Sequence, residues 1–206
     1  MKTHFVLVFF SIIFMAANSF AQNDEAGKNE ISVWGGFSPD SATSPIGGTP
    51  DVRFGIVALR YARRFNNSEL VNLKYTADII PAALLNYPDI EIVGDPPSLQ
   101  SVRPTKYAFG AAPLGLQVNF RSRKKLQPFI SATGGFLYFT RRTPKFGGTR
   151  FNFTADVGVG LEIRLKDKRA ATVGYKYHHI SNAERGIVNP GFDNNIFYVG
   201  YTFYSK

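Results

Sequence analysis

An all-β fold, an eight-stranded antiparallel transmembrane β-barrel, is predicted by three features of the chain. Apolar and polar residues alternate over long stretches, the runs reach the length needed to cross a bilayer, and the segments between them alternate short and long. The clearest run is Phe151 to Leu165, where Phe151, Phe153, Ala155, Val157, Val159, Leu161, Ile163 and Leu165 interleave with Asn152, Thr154, Asp156, Gly158, Gly160, Glu162 and Arg164. A period of two puts one set on each face of a strand. A tilted strand needs about 10 residues to span hydrocarbon, and this run exceeds that.

The other strands follow the same rule less strictly. They are expected over Ile31 to Phe37, Val52 to Arg64, Glu69 to Ile80, Tyr107 to Arg121, Pro128 to Arg141, Ala170 to Ile180 and Asn195 to Tyr204. Ala111-Ala112-Pro113 interrupts one of them and predicts a bulge, because proline cannot donate to the ladder. Arg63 to Ser68, Arg121 to Gln127 and Lys166 to Arg169 are short connections. Ser38 to Asp51, Pro81 to Arg103, Arg142 to Arg150 and Ser181 to Asn194 are longer, with Gly94-Asp95-Pro96-Pro97-Ser98 predicting an irregular loop. Short turns on one side and long loops on the other are the asymmetry of membrane barrels, with the termini on the short-turn side. A soluble lipocalin-like barrel has the same alternation with its apolar face inward. The polar face here carries Asp156, Glu162, Arg164 and Lys176, which can pair within a narrow lumen, so the membrane version is favoured.

Upstream of these strands, Lys2, the apolar run Phe5 to Ala17 and Ser19-Phe20-Ala21 have the order of an export signal, cut after Ala21. Residues 1–21 are thus read as a cleaved signal peptide and 22–206 as a single barrel domain. The chain has no cysteine and a net charge of +9. The first excludes a disulfide framework and thiolate metal sites. The second, in an exported protein, points to an anionic surface other than nucleic acid.

The chemistry-bearing residues gather in Tyr175 to Asn195. On an extended strand His179 and Ser181 project from one face, with Ala171, Val173, Tyr175 and Tyr177, whereas His178 projects from the other with Thr172, Gly174 and Lys176. His178 therefore reads as a lumen filler, and the two histidines cannot chelate one metal in regular geometry. His179 and Ser181 can serve as base and nucleophile, and a carboxylate is needed to orient the imidazole. Asp193 is the natural candidate, because antiparallel pairing beyond the Asn189-Pro190-Gly191 turn can bring it back beside His179; Glu184, within the same loop, is the competitor. Asp193 shares the parity of Phe197, Val199, Tyr201 and Phe203, so all three groups are expected on the lipid-facing wall.

His179-Ile180-Ser181-Asn182-Ala183, followed by Asn189-Pro190-Gly191 and Asp193, resembles the lipid A 3-O-deacylase (PagL) family of outer-membrane acyl hydrolases. The resemblance implies His179 as general base, Ser181 as nucleophile, and Asp193 as the acid that orients the histidine. The family prototype carries glutamate there, and a carboxylate one methylene shorter reaches the imidazole only where the backbone sits closer. Asn182, after the nucleophile, is expected to help bind an oxyanion. The resemblance further implies an outer-membrane serine esterase acting on lipid A of lipopolysaccharide, with neither cofactor nor metal, with membrane lipids and lipopolysaccharide as partners, and with a homodimer left open. The basic residues Arg103, Lys106, Arg141, Arg142, Lys145, Arg150 and Arg185 lie on or near the predicted outer loops, and Arg141, Arg142 and Arg185 are foremost as substrate phosphate contacts. The competing reading is a non-catalytic structural or adhesive barrel.

Overall fold

The computed structural model describes residues 28–42, 46–66, 68–165 and 168–205; the signal peptide expected over residues 1–21 lies outside them. Among the described residues ten strands form in order: β1 (Asn29–Ser38), β2 (Arg53–Arg64), β3 (Val71–Asn86), β4 (Asp89–Val93), β5 (Ser98–Val102), β6 (Thr105–Phe120), β7 (Leu126–Thr143), β8 (Thr149–Arg164), β9 (Arg169–Ser181) and β10 (Phe192–Ser205). Eight of them close into an antiparallel barrel in the order β1-β10-β9-β8-β7-β6-β3-β2, with β1 pairing both β2 and β10. Closure leaves no unpaired sheet edge, which is the condition for a β-structure in hydrocarbon.

Each expected strand is present. The long second loop differs from expectation, because β3 runs on through Pro81 to Asn86 and the remainder folds as a β4–β5 hairpin turned at Gly94–Pro97. Proline is accommodated in β3 by a register shift between Ile80 and Ala83. The expected bulge at Ala111-Ala112-Pro113 is present as a shift between Ala111 and Leu114 on the β6–β7 side. β7 and β8 also run further than their pattern suggests, which shortens the third outer loop to residues 144–148.

The faces separate as the alternation requires. Ile31, Val33, Leu59, Val157, Val159, Val173, Val199 and Phe203 project outward and are exposed. Inside, Lys74 Nζ lies 2.9 Å from both Glu30 and Glu162, Arg60 forms a two-pronged pair with Asp78 at 2.7 Å, and Lys176 meets Asp156 at 3.1 Å. An outward apolar wall around inward ion pairs is the reverse of a lipocalin-like barrel. His178 is a lumen filler as expected, stacked on Phe54 and 3.4 Å from Asp156. The lumen is not polar throughout, however. Towards the long loops Phe54, Leu85, Phe139, Ile180, Phe192 and Ile196 pack into a buried apolar plug. This plug separates the ion-paired interior from the loops above it.

Candidate functional site

The site forms where β9 and β10 approach the long loops. In their antiparallel register His179 stands directly opposite Asp193, so cross-strand neighbours on one face bring the two side chains together. His179 Nδ1 and Asp193 Oδ1 are 2.5 Å apart. Ser181 lies two residues further on the same outward face, beside Phe153 of β8, while Ala155 is the small neighbour of His179. Glu184, the alternative acid, is exposed in the following loop at φ 61°. Of the two acids expected to orient the histidine, Asp193 is the one that meets it.

Asp193 has outward parity, yet only 1% of its surface is accessible. The first outer loop covers it. Gly47 N–H donates to Asp193 Oδ2 at 2.5 Å, Ala42 N–H donates to the Asp193 carbonyl, Gly48 N–H to the Pro190 carbonyl, and Thr49 Oγ1 to the Gly191 carbonyl. The carboxylate is held on both oxygens, one by a backbone donor and one by the imidazole. Glycine is required at two points of this cover. A Cβ on Gly47 would sit 2.5 Å from Asp193 Oδ2, and Gly191 has φ 68° with its Cβ position 2.9 Å from the Gly47 Cα. Left-handed backbone and so close an approach both exclude a side chain. The shorter acid is thus matched by direct ladder pairing with the histidine and by a loop pressed against its outer side.

Asn182 departs from its expected role. Its backbone N–H donates to Asn189 Oδ1 at 3.0 Å and its side-chain amide donates to the Val188 carbonyl at 2.8 Å, so it clamps the fourth loop instead of presenting donors to a substrate. Two other groups stand out. Ala183 N–H donates to Ser181 Oγ at 3.2 Å. The side-chain oxygen of Asn189 is pinned by Asn182, and its Nδ2 donor meets no acceptor among the described residues. In the sequence Asn189 reads only as a turn residue, and nothing in its spacing distinguishes that role from a donor's.

Several of the expected phosphate contacts are engaged elsewhere. Lys106 is buried against Asp89 and Tyr87, each at 2.6 Å, Lys145 pairs with Glu91 at 2.8 Å, and Arg103 is tied to Asn86 and the Asp51 carbonyl. Burial on its own would raise the Asp89 carboxyl, but the Lys106 and Lys145 donors and the Lys106 charge outweigh it and hold Asp89 below the usual carboxylate range. Arg142 and Arg185 line one open pocket with Arg150; Arg141 does not line it.

Below the site, the Tyr177–Asn195 and Tyr175–Phe197 pairs continue down the outer wall. Tyr175 borders two grooves. One, of about 970 Å³, is lined by Gly35, Phe37, Gly55, Val57, Phe197 and Val199 among others, and a second of about 500 Å³ lies on the β6–β8 side over Ala132. Glycine and alanine make the floors and aromatic or branched side chains the walls.

Fold and site together define a membrane-spanning barrel that presents a serine, a histidine and a carboxylate on its lipid-facing wall, at the rim beneath its long loops. The family model for lipid A 3-O-deacylase (PagL) matches residues 52–202, and the chain belongs to that family. It is an outer-membrane lipid A deacylase, a hydrolase that removes an ester-linked acyl chain, with the 3-O position given by the family's description. Among solved structures, the crystal structure of the outer membrane enzyme PagL aligns with a TM-score of 0.55 at 17% identity, covering 84% of this chain and 98% of that one. Neisserial surface protein A (NspA) aligns at 0.50 and 10% identity, covering 88% and 100%. At such identities these likenesses show the barrel fold. No curated protein matches the chain at a significant level.

Proposed function

We propose that deacylation proceeds through a Ser181–His179–Asp193 triad, as a 3-O-specific cleavage with the glycolipid bound at the outer rim. The observation that carries this reading is the His179–Asp193 contact of 2.5 Å with the second carboxylate oxygen occupied by Gly47 N–H. A carboxylate so held accepts a hydrogen bond from Nδ1–H and fixes the proton there, which leaves Nε2 as the basic nitrogen for the Ser181 hydroxyl. Nε2 takes the Ser181 proton as Oγ attacks the ester carbonyl, and the C–O bond to the sugar breaks as the same proton passes to the leaving oxygen. A water molecule, deprotonated by His179, then attacks the acyl-serine; the fatty acid leaves and Ser181 is regenerated. The Ala183 N–H, released as Oγ turns to attack, and the Asn189 Nδ2 are the donors proposed for the oxyanion. The grooves flanking Tyr175 take the acyl chains, so substrate enters from the plane of the membrane.

Detergent-refolded protein incubated with lipid A, read by mass spectrometry, tests the reading. Wild type should remove one hydroxyacyl chain, and Ser181→Ala should remove none while migrating as a heat-modifiable folded barrel. Undiminished deacylation by Ser181→Ala removes Ser181 as nucleophile, and no mass change with either folded protein favours a structural barrel.

A further inference from the structure

Beside the nucleophile, the third and fourth outer loops enclose an open pocket of about 670 Å³ lined by Arg142, Gly147, Gly148, Thr149, Arg150, Arg185, Gly186 and Ile187. Three arginines thus line one cavity, and among the described residues no carboxylate lines it or pairs with any of the three. Like charges gathered without a counter-ion repel one another, and an anionic ligand relieves that repulsion. The pocket is built rather than accidental. Val188 N–H donates to the Gly147 carbonyl, tying the two loops together. Arg185 is laid over the rings of Phe151 and Phe153, 5.5 and 5.9 Å from their centroids, which restricts a side chain that would otherwise wander. The backbone under Arg142 is fixed as well, because the buried Lys106 ammonium donates to its carbonyl at 2.9 Å.

Position relates this pocket to the reaction. Phe153, on which Arg185 rests, is the direct ladder partner of Ser181. Paired strands lie roughly 5 Å apart, so Arg185 rests on the strand neighbour of the nucleophile, and the pocket it lines opens next to Ser181. Glycine is needed where the two loops touch: a Cβ on Gly147 would sit 2.9 Å from Val188, at φ 71°.

We infer that Arg142, Arg150 and Arg185 form a binding site for the phosphate monoester of the substrate's sugar head group, which sets the position of the ring so that one ester faces Ser181. The inference rests on the proposed deacylation and specifies which head group that site selects. Arginine suits the task because its planar fork meets two phosphate oxygens at once.

Binding is measured first, so that the result does not depend on turnover. Ser181→Ala protein in detergent is titrated with lipid A and with the same lipid dephosphorylated. Removing the phosphate should weaken binding about 30-fold or more, and Arg142→Gln with Arg150→Gln should weaken binding of the phosphorylated lipid by a similar factor while leaving the dephosphorylated lipid unchanged. Catalysis by otherwise wild-type protein should show the same loss as a rise in KM for phosphorylated substrate, with kcat on a neutral fatty ester unaltered. Arg142→Lys, which keeps the charge and loses the fork, should fall between. Equal binding of the two lipids by the parent protein overturns the inference, as does equal loss on both lipids in the double variant. Inorganic phosphate should compete only at millimolar concentration; tight binding of it would assign the pocket to a free anion and also overturn the proposal. Failure of wild type to hydrolyse any ester, with phosphate-dependent binding intact, would instead refute the triad reading and leave the pocket standing.

Discussion

Replacing Asp193 by asparagine keeps the size of the side chain and removes its charge, and the local hydrogen bonds specify the effect on the histidine. The native carboxylate accepts from Gly47 N–H on Oδ2 and from His179 Nδ1 on Oδ1, both at 2.5 Å, in a position that is 1% accessible. An amide can accept on one side only. The Gly47 N–H cannot reverse its polarity, and leaving such a donor buried without an acceptor costs about 1–3 kcal/mol, so the amide oxygen turns to Gly47 and its NH₂ to His179. Imidazole answers an approaching donor by placing its lone pair on Nδ1 and its proton on Nε2, and the base then faces Ser181 already protonated. In a serine protease the corresponding exchange costs about 10⁴ in kcat, or ~5.4 kcal/mol of transition-state stabilisation at 1.36 kcal/mol per decade. We expect a drop of about 10³ to 10⁴ in kcat for Asp193→Asn with little change in KM, measured as fatty acid released from lipid A by refolded protein. The heat-modifiable gel shift should be retained, because the substitution is isosteric and the barrel ladder is untouched. Activity within tenfold of wild type would refute the claim that Asp193 sets the histidine tautomer.

The covering loop is tested by Gly47→Ala, whose Cβ would sit 2.5 Å from Asp193 Oδ2. The carboxylate must shift, and a misplacement of this order costs about 10² in turnover; Gly48→Ala, with its nearest atom at 3.6 Å, should change turnover less than threefold, and equal rates for the two variants would sink the argument. Asp89 supplies a pH dependence. Its lowered pKa means that the clasp to Lys106 contributes stability in full above the unfolded carboxylate pKa of about 3.9 and loses it as pH falls through the lower folded value. Amide protection in the β4–β5 hairpin, each rate taken relative to the intrinsic rate at that pH, should therefore stay high at neutral pH and fall below about pH 4, whereas Lys106→Met should be poorly protected throughout; protection that does not vary from pH 7 to pH 3 in wild type would contradict it.

Strand number, facing and the outward position of His179 and Ser181 were legible in the sequence because a barrel wall imposes a period of two, and each residue's parity is set without knowledge of its neighbours. Phe151 to Leu165 is the plainest case. The short motif from His179 to Asp193 identified the family for a similar reason, since its spacing is local. Other features depend on contacts between distant segments, which no local pattern encodes. The contact of Asp193 with His179 depends on cross-strand register, and the burial of Asp193 came from a loop some 146 positions earlier in the chain. The apolar plug is read from no single strand, because Phe54, Leu85, Phe139 and Ile196 become neighbours only when the barrel closes. The β4–β5 hairpin was hidden behind Gly94-Asp95-Pro96-Pro97, which as a sequence says turn and says nothing of the two short strands it joins. Basic residues were the least legible of all. Lys106, Lys145, Arg142 and Arg185 have equivalent charge in the sequence, and only tertiary contacts decide that the lysines are paired with Asp89 and Glu91 while the arginines share a pocket lined by no acid among the described residues. A charge is a property of the residue, but its availability is set by whatever the fold places beside it.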